Sequence, residues 1–249
     1  GLTAAADEPG GGVSVINGEP AAEGQYPWVV ALALAGNTDV NFCGGSLIAP
    51  DVVLTAAHCI RNEEPGGVVV RHGSVDLRSD AVVDVAIESL HVADDYGDPT
   101  SAANDWGLIK LVAPIEGVQI LPLAGDEAHD SGVFEVMGWG WVAEGEYPTV
   151  LQRADVPFID DTRCGEAYQG TGQWHAESML CAGYWDAGGV DTCEGDSGGP
   201  MISRDENGAA VQVGIVSWGV DCAKPKQPGV YTQVSYLDEA IWQAVAGLG

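Results

Sequence analysis

Positive charge is what this sequence has least of. Nine Lys plus Arg stand against 37 Asp plus Glu, a formal net charge of −28 in 249 residues. A nucleic-acid binder relying on a basic face is excluded by that balance, because phosphate contacts are made by clustered Lys and Arg. No apolar run approaches the roughly 18 residues of a membrane-spanning helix. No positively charged segment leading into an apolar run follows Gly1, so a soluble chain is expected, with any export signal already removed or never included. The sequence also lacks a CxxC pair, which leaves zinc-ribbon and thioredoxin-like readings without a basis. Its 35 glycines follow no fixed period, so solenoid and collagen readings fail. What is present is 46% hydrophobic and only 18% charged, the balance of a packed globular protein. Six cysteines, at 43, 59, 164, 181, 193 and 222, suggest three disulfides and an oxidising compartment. Spacing leaves all 15 pairings open.

Residues 1–14, GLTAAADEPGGGVS, are small, polar and Gly-rich, and read as a flexible leader. From Val15 onward short apolar runs recur between Gly, Pro, Asn and Asp clusters. They include Trp28 to Ala35, Ser46 to Ile48, Val52 to Ala56, Val68 to Arg71, Leu108 to Val112, Phe134 to Met137, Val211 to Ser217 and Val230 to Val234. Such punctuation predicts β-strands. Only Tyr236 to Leu248 reads as helix, with Leu237, Ile241 and Val245 every four residues. No composition break after residue 15 marks a linker, so 15–249 is read as one tightly packed unit.

The segment from Asp191 to Pro200, DTCEGDSGGP, sets glycines on both sides of Ser197. Glycines permit positive φ and let backbone N–H groups converge on one spot, as a developing oxyanion requires. Leu54 to Cys59, LTAAHC, places His58 among small residues, and Asn104 to Leu111, NDWGLIKL, places Asp105 at the head of an apolar run. Alone, such a histidine is usually structural and such an aspartate a turn residue. A serine nucleophile needs both, a base to take its proton and a carboxylate to fix the base's tautomer.

These segments, with Val15-Ile16-Asn17-Gly18, Gly138-Trp139-Gly140, GIVSWG and PGVYTQV, resemble the trypsins of the chymotrypsin-like serine protease family, secreted bacterial ones above all. The resemblance runs from Val15 to the C-terminal helix. It implies an all-β fold of two perpendicular six-stranded antiparallel β-barrels with a C-terminal α-helix and the active site between them. It makes Ser197 the nucleophile, His58 the base and Asp105 the orienting carboxylate, with the N–H groups of Gly195 and Ser197 as oxyanion hole. Ser217 resembles the serine that supports the aspartate. Asp191 resembles the pocket floor that selects Lys and Arg, with Thr192 nearby, Trp218 along the same stretch, and Gly219 and Gly229 as wall glycines. Disulfides Cys43–Cys59, Cys164–Cys181 and Cys193–Cys222 are implied. The alternative is a non-catalytic homologue acting as a binding or regulatory protein.

Two positions depart from the family's usual pattern: Glu194 where glutamine is usual and Asp221 where glycine is usual. Both are expected at the pocket mouth, disfavouring acidic residues beside the scissile bond. In the family a new amino terminus, here Val15, pairs with the aspartate before the nucleophile, here Asp196. Ser14 precedes that cut where Lys or Arg is usual, so activation by another protease is expected and 1–14 acts as a propeptide. No cofactor and no specific calcium site are expected, since Asp161 is kept while Met179 and Gln233 replace glutamates of the bacterial site. Expected partners are protein or peptide substrates with Lys or Arg at P1 and protein protease inhibitors, with no nucleic acid and no membrane. A secreted monomer is expected.

Overall fold

A computed structural model describes residues 15–143, 145–193 and 195–249. After a short strand β1 (Glu19–Pro20), six strands follow in the first half: β2 (Val29–Leu34), β3 (Asn37–Ala49), β4 (Val52–Thr55), β5 (Val68–His72), β6 (Val83–Val92) and β7 (Gly107–Leu111). They close into an antiparallel barrel in the order β2-β3-β4-β7-β6-β5, with β5 returning to β2 through Arg71 opposite Ala31. The second half supplies β8 (Val133–Gly138), β9 (Gln152–Ile159), β10 (Met179–Ala182), β11 (Pro200–Arg204), β12 (Ala210–Trp218) and β13 (Gly229–Gln233). These close in the order β8-β9-β10-β13-β12-β11, while β1 pairs Glu19 with Arg153 on β9. Closure leaves no long unpaired edge, the usual liability of an all-β chain.

Short runs of β-branched and aliphatic residues build these strands because they fill a pleated, buried surface. Barrel interiors take Leu32, Leu47, Leu54, Val70 and Ile109 in one half and Phe134, Val136, Val156, Leu180, Met201 and Val213 in the other. The C-terminal helix runs Val234–Ala246 and buries Val234, Leu237 and Ile241 at the four-residue spacing its sequence carries. Three disulfides join Cys43 to Cys59, Cys164 to Cys181 and Cys193 to Cys222.

The expectation that only the chain end is helical needs correction. Among the described residues the α-helices are α1 (Ala57–Ile60), α2 (Asp161–Tyr168) and the C-terminal one, α3. The carboxylate of Asp160 caps α2 by accepting from Arg163 N at 2.8 Å, and Asp161 sits in its first turn, where negative charge meets the positive end of the helix dipole. Its buried face consists of only Cys164 and Tyr168, one turn apart. A disulfide half and a tyrosine carry little of the aliphatic spacing by which helices are read.

Candidate active site

α1 begins directly after β4, so His58 leaves the first barrel facing the second, one residue from the disulfide that ties Cys59 to β3. Asp105 precedes β7 and is buried. Its Oδ2 lies 2.6 Å from His58 Nδ1 and accepts from Ser217 Oγ at 2.7 Å, while Oδ1 accepts from His58 N at 2.9 Å. With Nδ1 facing a carboxylate, the proton of a neutral imidazole belongs on Nδ1, which leaves Nε2 as the basic nitrogen. Ser217 lies on β12, so the second barrel helps hold a carboxylate of the first.

Two anchors of Asp105 were not among the residues singled out from sequence. Thr232 on β13 donates its hydroxyl to the Asp105 carbonyl at 2.7 Å. Asn104 adopts φ +57 and sends Nδ2 to the Asp98 carbonyl at 2.9 Å, pinning the loop that delivers Asp105. An Asn directly before the Asp is a readable signal, because Asn tolerates left-handed φ better than most side chains. Nothing about Thr232 distinguishes it from any strand threonine.

Ser197 sits between Gly195 at φ +90 and Gly198 at φ +83. A Cβ on Gly198 would strike Thr55 Oγ1 and come within 2.5 Å of the Gly44 carbonyl, so the turn admits only glycine there. The Ser197 carbonyl accepts from Gly44 N at 2.8 Å, and Gly198 N bonds the Val216 carbonyl at 2.9 Å. Among the described residues no group accepts from Gly195 N or Ser197 N. Asp196 is fully enclosed: Oδ1 accepts from Gly140 N at 2.8 Å and Oδ2 from Cys193 N at 2.9 Å. Side chains at Gly138 or Gly140 would collide with that carboxylate. Burial pushes its pKa up to about 7 against the pull of those two N–H groups. Val15 is buried in the core of the second barrel, and Ile16 forms a bridge with Asp191.

A cavity of about 330 Å3 runs from His58 and Ser197 to Asp191, walled by 216–222 and Gly229. Asp191 Oδ2 accepts from Ala223 N at 3.0 Å, whereas its Oδ1 is buried with no partner among the described residues. Desolvation by burial raises the Asp191 pKa to about 7, opposed by N–H groups of Ala223 and Thr192 and reinforced by the charge of Asp196. Gly229 stands beside the carboxylate itself, since a Cβ there would lie 2.7 Å from Oδ1. The Thr192 hydroxyl lies 3.2 Å from the Tyr231 hydroxyl. Gly219, Trp218 and Asp221 line the cavity, with Asp221 exposed and Trp218 packed on Tyr168 at 4.8 Å between ring centres. Glu194 lies outside the described residues, as does the leader 1–14.

Cys43, His58 and Cys59 bring potential metal-ligand atoms together, but both sulfurs are committed to a disulfide. Asp161 borders a depression with Glu127, Asp130, Glu177 and Gln233, and its pKa is raised by burial and then by neighbouring carboxylates. Met179 is buried in the core beneath α2.

Two closed six-stranded barrels with a serine, a histidine and a buried aspartate at their junction define a class, the two-barrel serine proteases. The trypsin family model matches residues 15–241, and the chain belongs to that family. A trypsin-like protease of Streptomyces glaucescens is 40% identical over 243 residues, covering 94% of this chain and 83% of the relative. A trypsin of Saccharopolyspora erythraea is 35% identical over 240 residues, covering 94% and 99%. A trypsin of the mite Tyrophagus putrescentiae, Tyr p 3.0101, is 40% identical over 236 residues, covering 90% and 78%.

Proposed function

We propose that this protease is a secreted endopeptidase that cleaves after Lys and Arg through an acyl-enzyme. The observation that carries the reading is Asp191 Oδ1, a buried carboxylate oxygen without a partner among the described residues, at the end of a cavity that opens on Ser197. A long cationic side chain supplies the missing partner, and an acidic or aromatic one does not. Ser197 Oγ attacks the scissile carbonyl as His58 Nε2 takes its proton, and His58 returns the proton to the departing amine. Water then repeats the sequence on the ester. Asp105 holds the imidazole and stabilises its charged form, and the N–H groups of Gly195 and Ser197 receive the oxyanion. Asp221 adds negative charge at the pocket mouth.

Residues 1–14 form a propeptide in this reading. A cut before Val15 creates an α-ammonium group that pairs with Asp196 and returns the Asp196 carboxyl to its ionised form. Three disulfides support an extracellular setting. The test is to profile the chain beginning at Val15 on peptides varied only at P1. Turnover confined to Arg and Lys supports the proposal, and a preference for aromatic or small residues refutes it.

A further inference from the structure

Each of the nine cationic residues precedes a bond that such a protease could cut in another copy of itself. A protease cleft takes its substrate as an extended segment, so a bond inside a sheet, helix or anchored turn is cut only after that region opens. Arg71, Lys110 and Arg153 lie within β5, β7 and β9, at most 17% exposed and paired with Asp84, Asp51 and Asp155. Arg204 pairs with Ala210 across β11 and β12 and holds both oxygens of Glu135. Arg163 lies in α2 beside disulfide-bonded Cys164, and Arg61 follows buried Ile60 and disulfide-bonded Cys59. Lys224 precedes Pro225. Lys226 sits between Pro225 and Pro228 at φ +56, its N–H held by the Trp185 carbonyl at 2.7 Å.

Arg78 has fewer of these protections. Leu77 before it is buried and its N–H bonds the Thr149 carbonyl at 2.9 Å, and the Arg78 N–H is held by Asp76 Oδ1 at 2.9 Å. Arg78 itself lies outside any strand, helix or disulfide pair. Its side chain is 71% exposed, and its ion pair is with Asp76 two residues away, a surface contact of little energetic consequence. It lies between β5 and β6, followed by exposed Asp80 and Ala81, in a turn closed by Ser79 N to Asp76 O at 3.0 Å and Val82 N to Ser79 O at 3.1 Å. Exposed polar loop tips are where proteolytic nicking concentrates.

We propose that Arg78–Ser79 is the bond at which one copy of this protein cuts another, and that this cut inactivates it. The proposal rests on the Lys/Arg preference argued above. Ser197 of the attacking copy takes the Arg78 carbonyl carbon as an ester and releases the Ser79 amine. One water then hydrolyses the ester, leaving a carboxylate on Arg78 and restoring Ser197. The disulfides give the nick its consequence. Cys43–Cys59 lies wholly before it, and Cys164–Cys181 and Cys193–Cys222 lie wholly after it. No disulfide crosses the cut, so His58 is left on one fragment and Asp105 and Ser197 on the other. Non-covalent contacts alone, ladder pairing such as β5 with β6 and β4 with β7, the shared core and hydrogen bonds such as Gly44 N to the Ser197 carbonyl, then hold base and nucleophile together.

The test treats the full-length Ser197→Ala chain with a trace of an added protease specific for Lys and Arg, so that accessibility is read without this chain's own chemistry. Mass spectrometry and non-reducing electrophoresis follow the products. The first cut is expected to leave a fragment ending at Arg78 and one beginning at Ser79, separable without reductant. Arg78→Gln is expected to slow the first cut at least about tenfold, since cleavage follows the population of the opened segment. A first cut at any other cationic residue, or an unchanged rate in Arg78→Gln, overturns the proposal. In a second arm the active chain beginning at Val15 is incubated alone. The same fragments are expected, and Arg78→Gln should begin with the same kcat/KM and lose it more slowly. Self-cleavage after residues other than Lys or Arg would count against the specificity reading, while the first arm still judges the site.

Discussion

Asp191→Ser separates binding from stability at one position. In the free protein Asp191 holds a carboxylate whose Oδ2 has the Ala223 N–H at 3.0 Å and whose Oδ1 has no partner among the described residues. Desolvation raises its pKa to about 7, against about 3.9 for an unfolded aspartate. The folded protein therefore holds this proton more tightly than the unfolded chain. Its favourable contribution is complete below the unfolded pKa and is lost as pH rises through about 7. Above that, ionised Asp191 burdens the fold by at most on the order of 4 kcal/mol, less to the extent that water enters the cavity. Serine carries no such burden. Relative to the parent, the variant should gain thermal stability on going from acid to mildly alkaline buffer. Binding moves the other way. A buried ion pair that loses one partner typically costs about 3 to 5 kcal/mol, or two to nearly four powers of ten in kcat/KM on Arg and Lys substrates. The assay pairs kcat/KM on Arg, Lys and Phe substrates with melting temperatures across pH. Retained Arg and Lys preference, or a stability gain that shrinks as pH rises, would refute the reasoning.

Gly198→Ala should cost more than Gly24→Ala, although both glycines have positive φ. A methyl group added at Gly24 meets open space, whereas at Gly198 it meets Thr55 Oγ1 and the Gly44 carbonyl. Backbone strain alone is worth about 1 to 3 kcal/mol; equal losses in melting temperature would show that the Gly198 contacts are unimportant. Asp196 gives a pH prediction for the leader. With its folded pKa raised to about 7, the uncut chain should lose stability as pH rises from the unfolded pKa of about 3.9 toward 7. The chain beginning at Val15 should lose less over the same range, because the α-ammonium proposed to pair with Asp196 would lower its pKa. Denaturant unfolding of both chains checks this, and parallel pH profiles would contradict the pairing.

The elements most visible in the sequence are those built from aliphatic runs. β2, β4, β5, β7, β8, β12 and β13 coincide with them, and the C-terminal helix shows its four-residue period. The harder strands are physically different. β6 places acids among its outward residues, β9 contains Pro157, β10 has four residues, and β11 opens on Pro200. Proline and charge weaken the strand signal without preventing pairing at a particular register. The site divides in the same way. His58, Asp105, Ser197 and Asp191 stand in segments whose composition marks them. The contacts that hold Asp105, from Ser217 and Thr232 on separate strands of the second barrel, exist only after both barrels close. Ser217 was readable through resemblance, and Thr232 was not.

The central claim is that Ser197 is the nucleophile of a working endopeptidase. Its most direct test is titration of the chain beginning at Val15 with an acylating active-site reagent, followed by mass mapping. One acyl group per chain, on Ser197 and lost when Asp105 or His58 is replaced by alanine, is the predicted result. Acylation elsewhere, or none on a correctly folded chain, would contradict it.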